Sequence, residues 1–222
     1  MSFDTRAQIL GRVRHALRDV PAGENPEDVF VQRDYHRAGS GTQGSLIDLF
    51  AERAADYRAR VSRATEQAAP NLIGALLTQD AIGYLAVPPG FPTAFLTALE
   101  RTSLVSDDPP LSTRSLDHVH GVITTSALAI AQTGTVILDG TPGQGRRALT
   151  LIPDYHLCLV HADQIVETVP DAIARLDPRR PLTWISGPSA TSDIENNRVE
   201  GVHGPRTLHI LVIERGHRTD QP

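Results

Sequence analysis

Short apolar runs alternate with helix-length amphipathic segments along most of this chain, and that alternation is its tightest constraint on fold. Strands are expected near Arg60 to Ala64, at Ile82 to Val87, near Leu104, and at Tyr155 to Val160, Leu182 to Ser186 and Thr207 to Ile213. Helices are expected from about Leu72 to Leu77, near Phe95 to Leu99 and near Asp171 to Leu176. Residues 121–138 differ, holding two or three short apolar strands around a turn at Thr133-Gly134. Runs that are apolar throughout suit strands buried on both faces, which is the pattern of a parallel sheet with helices packed above and below. The expected class is therefore α/β, a three-layer α/β/α arrangement around a mostly parallel sheet. At about 150 residues per domain, 222 residues fit one such domain with an N-terminal extension.

That extension has its own grammar. Ile9, Leu10, Val13 and Leu17 form a helical stripe that stops before Pro21. Residues 21–44 are polar and glycine-rich and read as a linker. Helical spacing resumes at Leu46, Leu49 and Phe50. The expected division is a helix and linker over 1–44, the main domain over 45–215 and a tail over 216–222. The first helix is expected to act as an arm, docking on the body or on a neighbouring subunit of a homo-oligomer.

Composition then excludes several chemistries. All 21 basic residues are arginine, so Schiff-base catalysis, covalently held pyridoxal phosphate and a P-loop lysine are ruled out. One cysteine cannot make an intramolecular disulfide or a conventional all-cysteine iron–sulfur cluster. A net charge of −5 argues against nucleic-acid binding. No secretion signal and no apolar run of about 18 residues is present, so a cytoplasmic protein without membrane association is expected.

Four segments carry the candidate chemistry. Gln132-Thr133-Gly134-Thr135 offers hydroxyls and a glycine that lets backbone approach a ligand, or it is a hairpin turn. Gly143, Gly145, Arg146 and Arg147 make a glycine loop ending in two guanidinium groups, which suits a carboxylate or phosphate; solvated surface arginines are the plainer reading. Ser186, Gly187, Ser189 and Thr191 follow a strand where a helix is expected to begin, with Ser192 and Glu195 at capping-box spacing. A strand's carboxyl end meeting a helix N-terminus is also an anion site. Glu200 and His203 are the catalytic candidates, as an acid–base pair or as turn residues. His118 and His120 share a strand face without a third ligand at telling spacing, so no metal is expected. Cys158 is expected to be buried and inert.

The runs AIAQTGTVILDGTPGQGRRALTLIPDYHLCLVHADQIVETVPDAI and TWISGPSATSDIENNRVEGVHGPRTLHILVI closely resemble the lactate utilization protein C family (LutC/YkgG), built on the LUD domain. The resemblance is strong over residues 121–213 and looser over 45–120. It implies a fold similar to the ribose-5-phosphate isomerase, glucosamine-6-phosphate deaminase and coenzyme A transferase group (NagB/RpiA/CoA transferase-like). It also implies a role in oxidising L-lactate to pyruvate, beside partner proteins that carry the iron–sulfur clusters. The leading expectation is an accessory component that binds a small anionic metabolite or cofactor, the partner subunits, or both, and so shapes the partners' active site. No cofactor is expected on this chain. The alternative is a self-sufficient enzyme acting on a sugar phosphate or an acyl-CoA. Two departures bear on it: relatives read A-E-T-G-T where this chain has Gln132, and T-G-C-D where it has Thr124-Thr125-Ser126-Ala127.

Overall fold

The computed structural model describes residues 3–21, 23, 25, 32, 42–191, 199–200 and 204–214. Its first compact unit holds helix α1 (Phe3–Ala16), whose Ile9 and Val13 are exposed. The second unit runs from Arg37 onward. It contains α2 (Gln43–Asp56), β1 (Arg60–Thr65), α3 (Ala69–Gln79), β2 (Tyr84–Val87), β3 (Ser103–Ser106), α4 (Thr113–Asp117) and β4 (Gly121–Thr125). Next come β5 (Leu128–Ile130), β6 (Thr135–Leu138), β7 (Tyr155–His161), β8 (Ile165–Val166), α5 (Val169–Arg175) and β9 (Thr183–Ile185). Last are β10 (Ala190–Thr191), β11 (Val199–Glu200) and β12 (Thr207–Glu214).

Six strands pair in the order β1-β12-β7-β4-β2-β3, and every pairing is parallel. The expected α/β class holds. The side-chain period of two assigns the faces. Tyr155, Leu157 and Leu159 of β7 join Ile73 and Leu77 of α3 in one core, while Cys158 and Val160 join Ile47, Phe50 and Ala54 of α2 in another. Helices thus cover both sides, which is why the central strands β4, β7 and β12 are buried along nearly their whole length rather than at alternate positions, while β1 and β3 at the sheet edges carry exposed polar residues.

The expectation of one sheet needs correction. β5, β6, β8 and β9 form a separate four-stranded sheet in the order β8-β5-β6-β9, with β6 antiparallel to both neighbours. One face of this sheet shares the α2 core, and the other packs Ile130, Ile137 and Val166 against Ala172 of α5. The β5–β6 hairpin cannot belong to a parallel sheet because its turn is too short for a crossover. A smaller correction concerns a helix. The segment near Phe95 is only a 3-10 turn at Thr93–Leu96. Ala190 and Thr191 pair with Glu200 and Val199 in a two-stranded ribbon; the helix expected to follow, with Ser192 and Glu195 at its start, lies outside the described residues.

Local signals set the element boundaries. Thr168 caps α5 reciprocally: its hydroxyl accepts from Asp171 N at 3.3 Å, and the Asp171 carboxylate accepts from Thr168 N at 3.2 Å. Ser112 caps α4 at 3.0 Å. No helix among the described residues is long and apolar enough to cross a membrane.

Candidate functional site

Register places Ala86, Val122, His156 and Leu208 in one row across β2, β4, β7 and β12; Ala86 and Val122 pack with Leu116 and Leu149, while Leu208 shares a core with Val136 and Leu138 of the second sheet. The segment from Gly143 to Thr150 crosses this face as a strap. It is tied at one end by Gly143 N donating to Pro89 O at 2.8 Å and Thr125 N donating to Gly143 O at 2.9 Å. Between the strap, the row and the loop leaving β9 lies a cleft of about 250 Å³. Its polar lining comes from Arg147, Thr150, His156, Ser186 and Ser189, with Trp184 and Leu208 supplying apolar surface.

Arg147 carries the only formal charge among the described lining residues. Its Nη1 donates to Thr150 O at 2.8 Å and Thr150 Oγ1 at 3.0 Å, which braces the guanidinium against the 3-10 turn at Arg147–Thr150. It has no carboxylate partner among the described residues. A braced guanidinium with no carboxylate partner among the described residues and with hydroxyls nearby has the donor set for a small oxyanion.

Beneath it lies a buried polar island on an otherwise apolar face. His156 is 1 % exposed, and its Nε2 is 2.8 Å from Thr124 Oγ1. Thr124 Oγ1 in turn lies 3.6 Å from Cys158 Sγ. Burial first, and the Arg147 charge second, pull the His156 ring down to about 3, so it is neutral throughout the physiological range. Burial pushes the Cys158 thiol up to about 12 against a small opposing contribution from its Thr124 hydrogen bond, so it is no nucleophile.

These shifts have a pH consequence. The ordinary value for histidine is 6.5, and burial also lowers His209. Below 6.5 the unfolded chain takes up protons that the folded chain refuses, so stability is greatest above that pH and declines on acidification. The slope is at most about 1.4 kcal/mol per pH unit for each histidine. Urea titrations between pH 7.5 and about 4.5 should show this loss, and His156→Gln should remove its share.

The other candidates divide clearly. Ser186, Gly187, Ser189 and Arg147 meet in the cleft. Thr133 and Thr135 reach it through hydroxyls, 2.7 Å from each other and 2.8 Å from Thr135 to Ser186. Gly134 serves packing: a Cβ there would meet the backbone of Ala54 in α2. Gln132 is exposed and does not line the cleft; its backbone N donates to Glu167 O at 3.1 Å. Gly143 and Gly145 belong to the strap but not to the lining.

Arg146 turns away, contrary to its expected place beside Arg147. Its Nε and Nη2 reach the two oxygens of buried Asp107 at 2.9 Å each, and Nη2 also donates to Leu111 O at 2.6 Å. The side chain of Asp107 is 4 % exposed. Although burial opposes it, the Arg146 pairing together with the Leu111 N–H holds its carboxyl below the ordinary range.

The side chains of Thr191 and Glu200 and all of His203 lie outside the described residues. His120 Nδ1 accepts from Gly83 N at 2.9 Å, which clasps the start of β2. Among the described residues no cluster of three or more metal-ligating side chains occurs.

The cleft sits over the amino-terminal ends of β7 and β12, since His156 and Leu208 are the second residues of those strands. Open parallel sheets ordinarily take ligands at the carboxyl ends. Here the strap and the Arg146–Asp107 pair lie beyond the carboxyl ends of β2, β3 and β4, and the carboxyl end that faces the cleft is that of β9 in the second sheet. His156 and Thr150 escaped the sequence reading. The available signal was a histidine within the apolar run of a strand buried on both faces.

Comparison with known proteins places these features in a wider set. The LUD domain model matches residues 47–213. The chain is 39 % identical over 214 residues to lactate utilization protein C of Deinococcus radiodurans, covering 95 % of this chain and 96 % of the relative. It is 27 % identical to lactate utilization protein C of Halalkalibacterium halodurans over 226 aligned positions, covering 94 % and 95 %. Among solved structures, a DUF162 family protein from Deinococcus radiodurans matches with a TM-score of 0.66 at 39 % identity, covering 78 % of this chain and 98 % of that one.

Proposed function

The chain belongs to the LUD domain family, and from that premise we propose that it serves lactate utilization by holding a small carboxylate in the cleft around Arg147. The observation that carries this reading is Arg147 itself, braced by Thr150 and without a carboxylate partner among the described residues. Ser186, Ser189 and the neutral His156 complete a lining suited to an acid of a few atoms. Size also selects. At about 250 Å³ the cleft is smaller than the ~300–1,000 Å³ of pockets for drug-sized ligands. A coenzyme A thioester, with its nucleotide and pantetheine arm, does not fit inside. The self-sufficient acyl-CoA enzyme is therefore the weaker reading.

Electron transfer then falls to other proteins. The lone cysteine, Cys158, is fully buried, and one thiolate cannot hold a conventional iron–sulfur cluster. We place the clusters on separate iron–sulfur partners and the carboxylate site on this chain. Lactate oxidation, measured with an artificial electron acceptor, should be absent from the purified chain and from the partner proteins alone. It should appear when they are combined. Full turnover by the partners without this chain would contradict the assignment.

A further inference from the structure

The hydrogen bonds of the polar island run in one direction. At its far end stands the Thr125 backbone carbonyl, which can only accept, and the Cys158 thiol donates to it at 3.9 Å. The Thr124 hydroxyl donates to Cys158 Sγ at 3.6 Å. In the arrangement where that hydroxyl proton serves Cys158, Thr124 Oγ1 accepts across its 2.8 Å contact with His156 Nε2, a contact whose direction follows the ring tautomer. That arrangement is the Nε2–H tautomer, with a lone pair on Nδ1. No group among the described residues hydrogen-bonds Nδ1, although the side chain is almost wholly buried and lines the cleft. The Arg147 cation on the same lining favours a lone pair over an N–H there. The cleft thus holds two complementary functions, a guanidinium that donates and an imidazole nitrogen that accepts.

Building on the carboxylate reading above, we infer that His156 is a specificity-determining residue that accepts a hydrogen bond from a ligand hydroxyl, so that the cleft takes a 2-hydroxy acid in preference to the matching 2-oxo acid. With the carboxylate on Arg147, the substituent on the adjacent carbon is directed to the imidazole that lines the same cleft. A hydroxyl there donates to Nδ1. A carbonyl oxygen sets lone pair against lone pair, and a methylene leaves a desolvated acceptor unpaired; both are penalised.

The test uses the full chain and three acids that differ only at that carbon: L-lactate, pyruvate and propionate. Calorimetric titration should give L-lactate about tenfold tighter binding than either of the others. His156→Gln, whose amide replaces the bond to Thr124 but has no atom at Nδ1, should compress the three affinities to within about twofold. Nitrogen NMR of the histidine ring should show Nε2 protonated and Nδ1 bare, with the Nδ1 resonance moving on addition of L-lactate and not of propionate. The ratio in the parent and the ring tautomer decide the matter even if His156→Gln fails to fold. Pyruvate binding as tightly as L-lactate, or a proton found on Nδ1, overturns the inference. If all three acids bind equally and depend on Arg147, only the histidine assignment fails. If none binds, or Arg147→Ala changes nothing, the carboxylate reading fails and takes this inference with it.

Discussion

Gly134→Ala should cost about 3–5 kcal/mol of folding stability, a large share of the ~5–15 kcal/mol that holds a domain of this kind together. Two penalties add. Gly134 has φ of +58°, a left-handed conformation in which any residue with a Cβ pays about 1 kcal/mol or more. The larger penalty is steric. A Cβ built at this position lies 2.7 Å from Ala54 Cα and closer still to the Ala54 backbone nitrogen. Those atoms belong to the backbone of the last turn of α2, where Ala54 is buried, not to the tip of a flexible side chain, so no rotamer change relieves the clash. Either α2 lifts from the core containing Phe50 and Ala54 or the β5–β6 turn opens. A urea melt should show the midpoint falling sharply with an unchanged slope. A loss below 1 kcal/mol would mean that the turn does not seat on α2 as described.

The second large effect separates two neighbouring arginines. Arg147→Ala removes the only formal charge from the described lining of the cleft, and carboxylate binding should weaken by about 1.5–3 kcal/mol, roughly tenfold to a hundredfold. Folding should barely change, because Arg147 is exposed and, among the described residues, bonds only within its own turn. Arg146→Ala should do the reverse. It strands the buried Asp107 carboxylate, and stability should drop by about 2–3 kcal/mol; the residual exposure of Arg146 keeps the loss at the low end for a broken buried pair. The affinity of whatever protein remains folded should stay near that of the parent. Arg147→Lys keeps the charge but loses the planar fork, so it should recover only part of the binding.

The sequence made the parallel sheet legible because a strand buried on both faces leaves no polar alternation to confuse it; the run Tyr155 to Val160 is such a case. It hid the second sheet because the strands of residues 121–138 are equally apolar, and composition does not tell which sheet a strand joins. The same limit hid the difference between Arg146 and Arg147. The partner of Arg146 is Asp107, 39 positions earlier, and nothing in the local text of the loop points to it. His156 was concealed by its apolar neighbours, while Ser186 and Ser189 stood out because glycine and proline mark their loop. The cleft's location went unread for a topological reason. The rule of carboxyl-end sites assumes one sheet, and here one wall comes from the amino-terminal ends of β7 and β12 and the other from the carboxyl end of β9.

Side-by-side calorimetric titration of L-lactate into the parent chain, Arg147→Ala and Arg146→Ala, each first confirmed as folded by a thermal melt, tests the carboxylate site most directly. The account predicts saturable one-to-one binding by the parent, tenfold or greater weakening in Arg147→Ala, and near-parent affinity in Arg146→Ala. Equal affinity in the parent and Arg147→Ala, or no L-lactate binding to a folded parent, would contradict it.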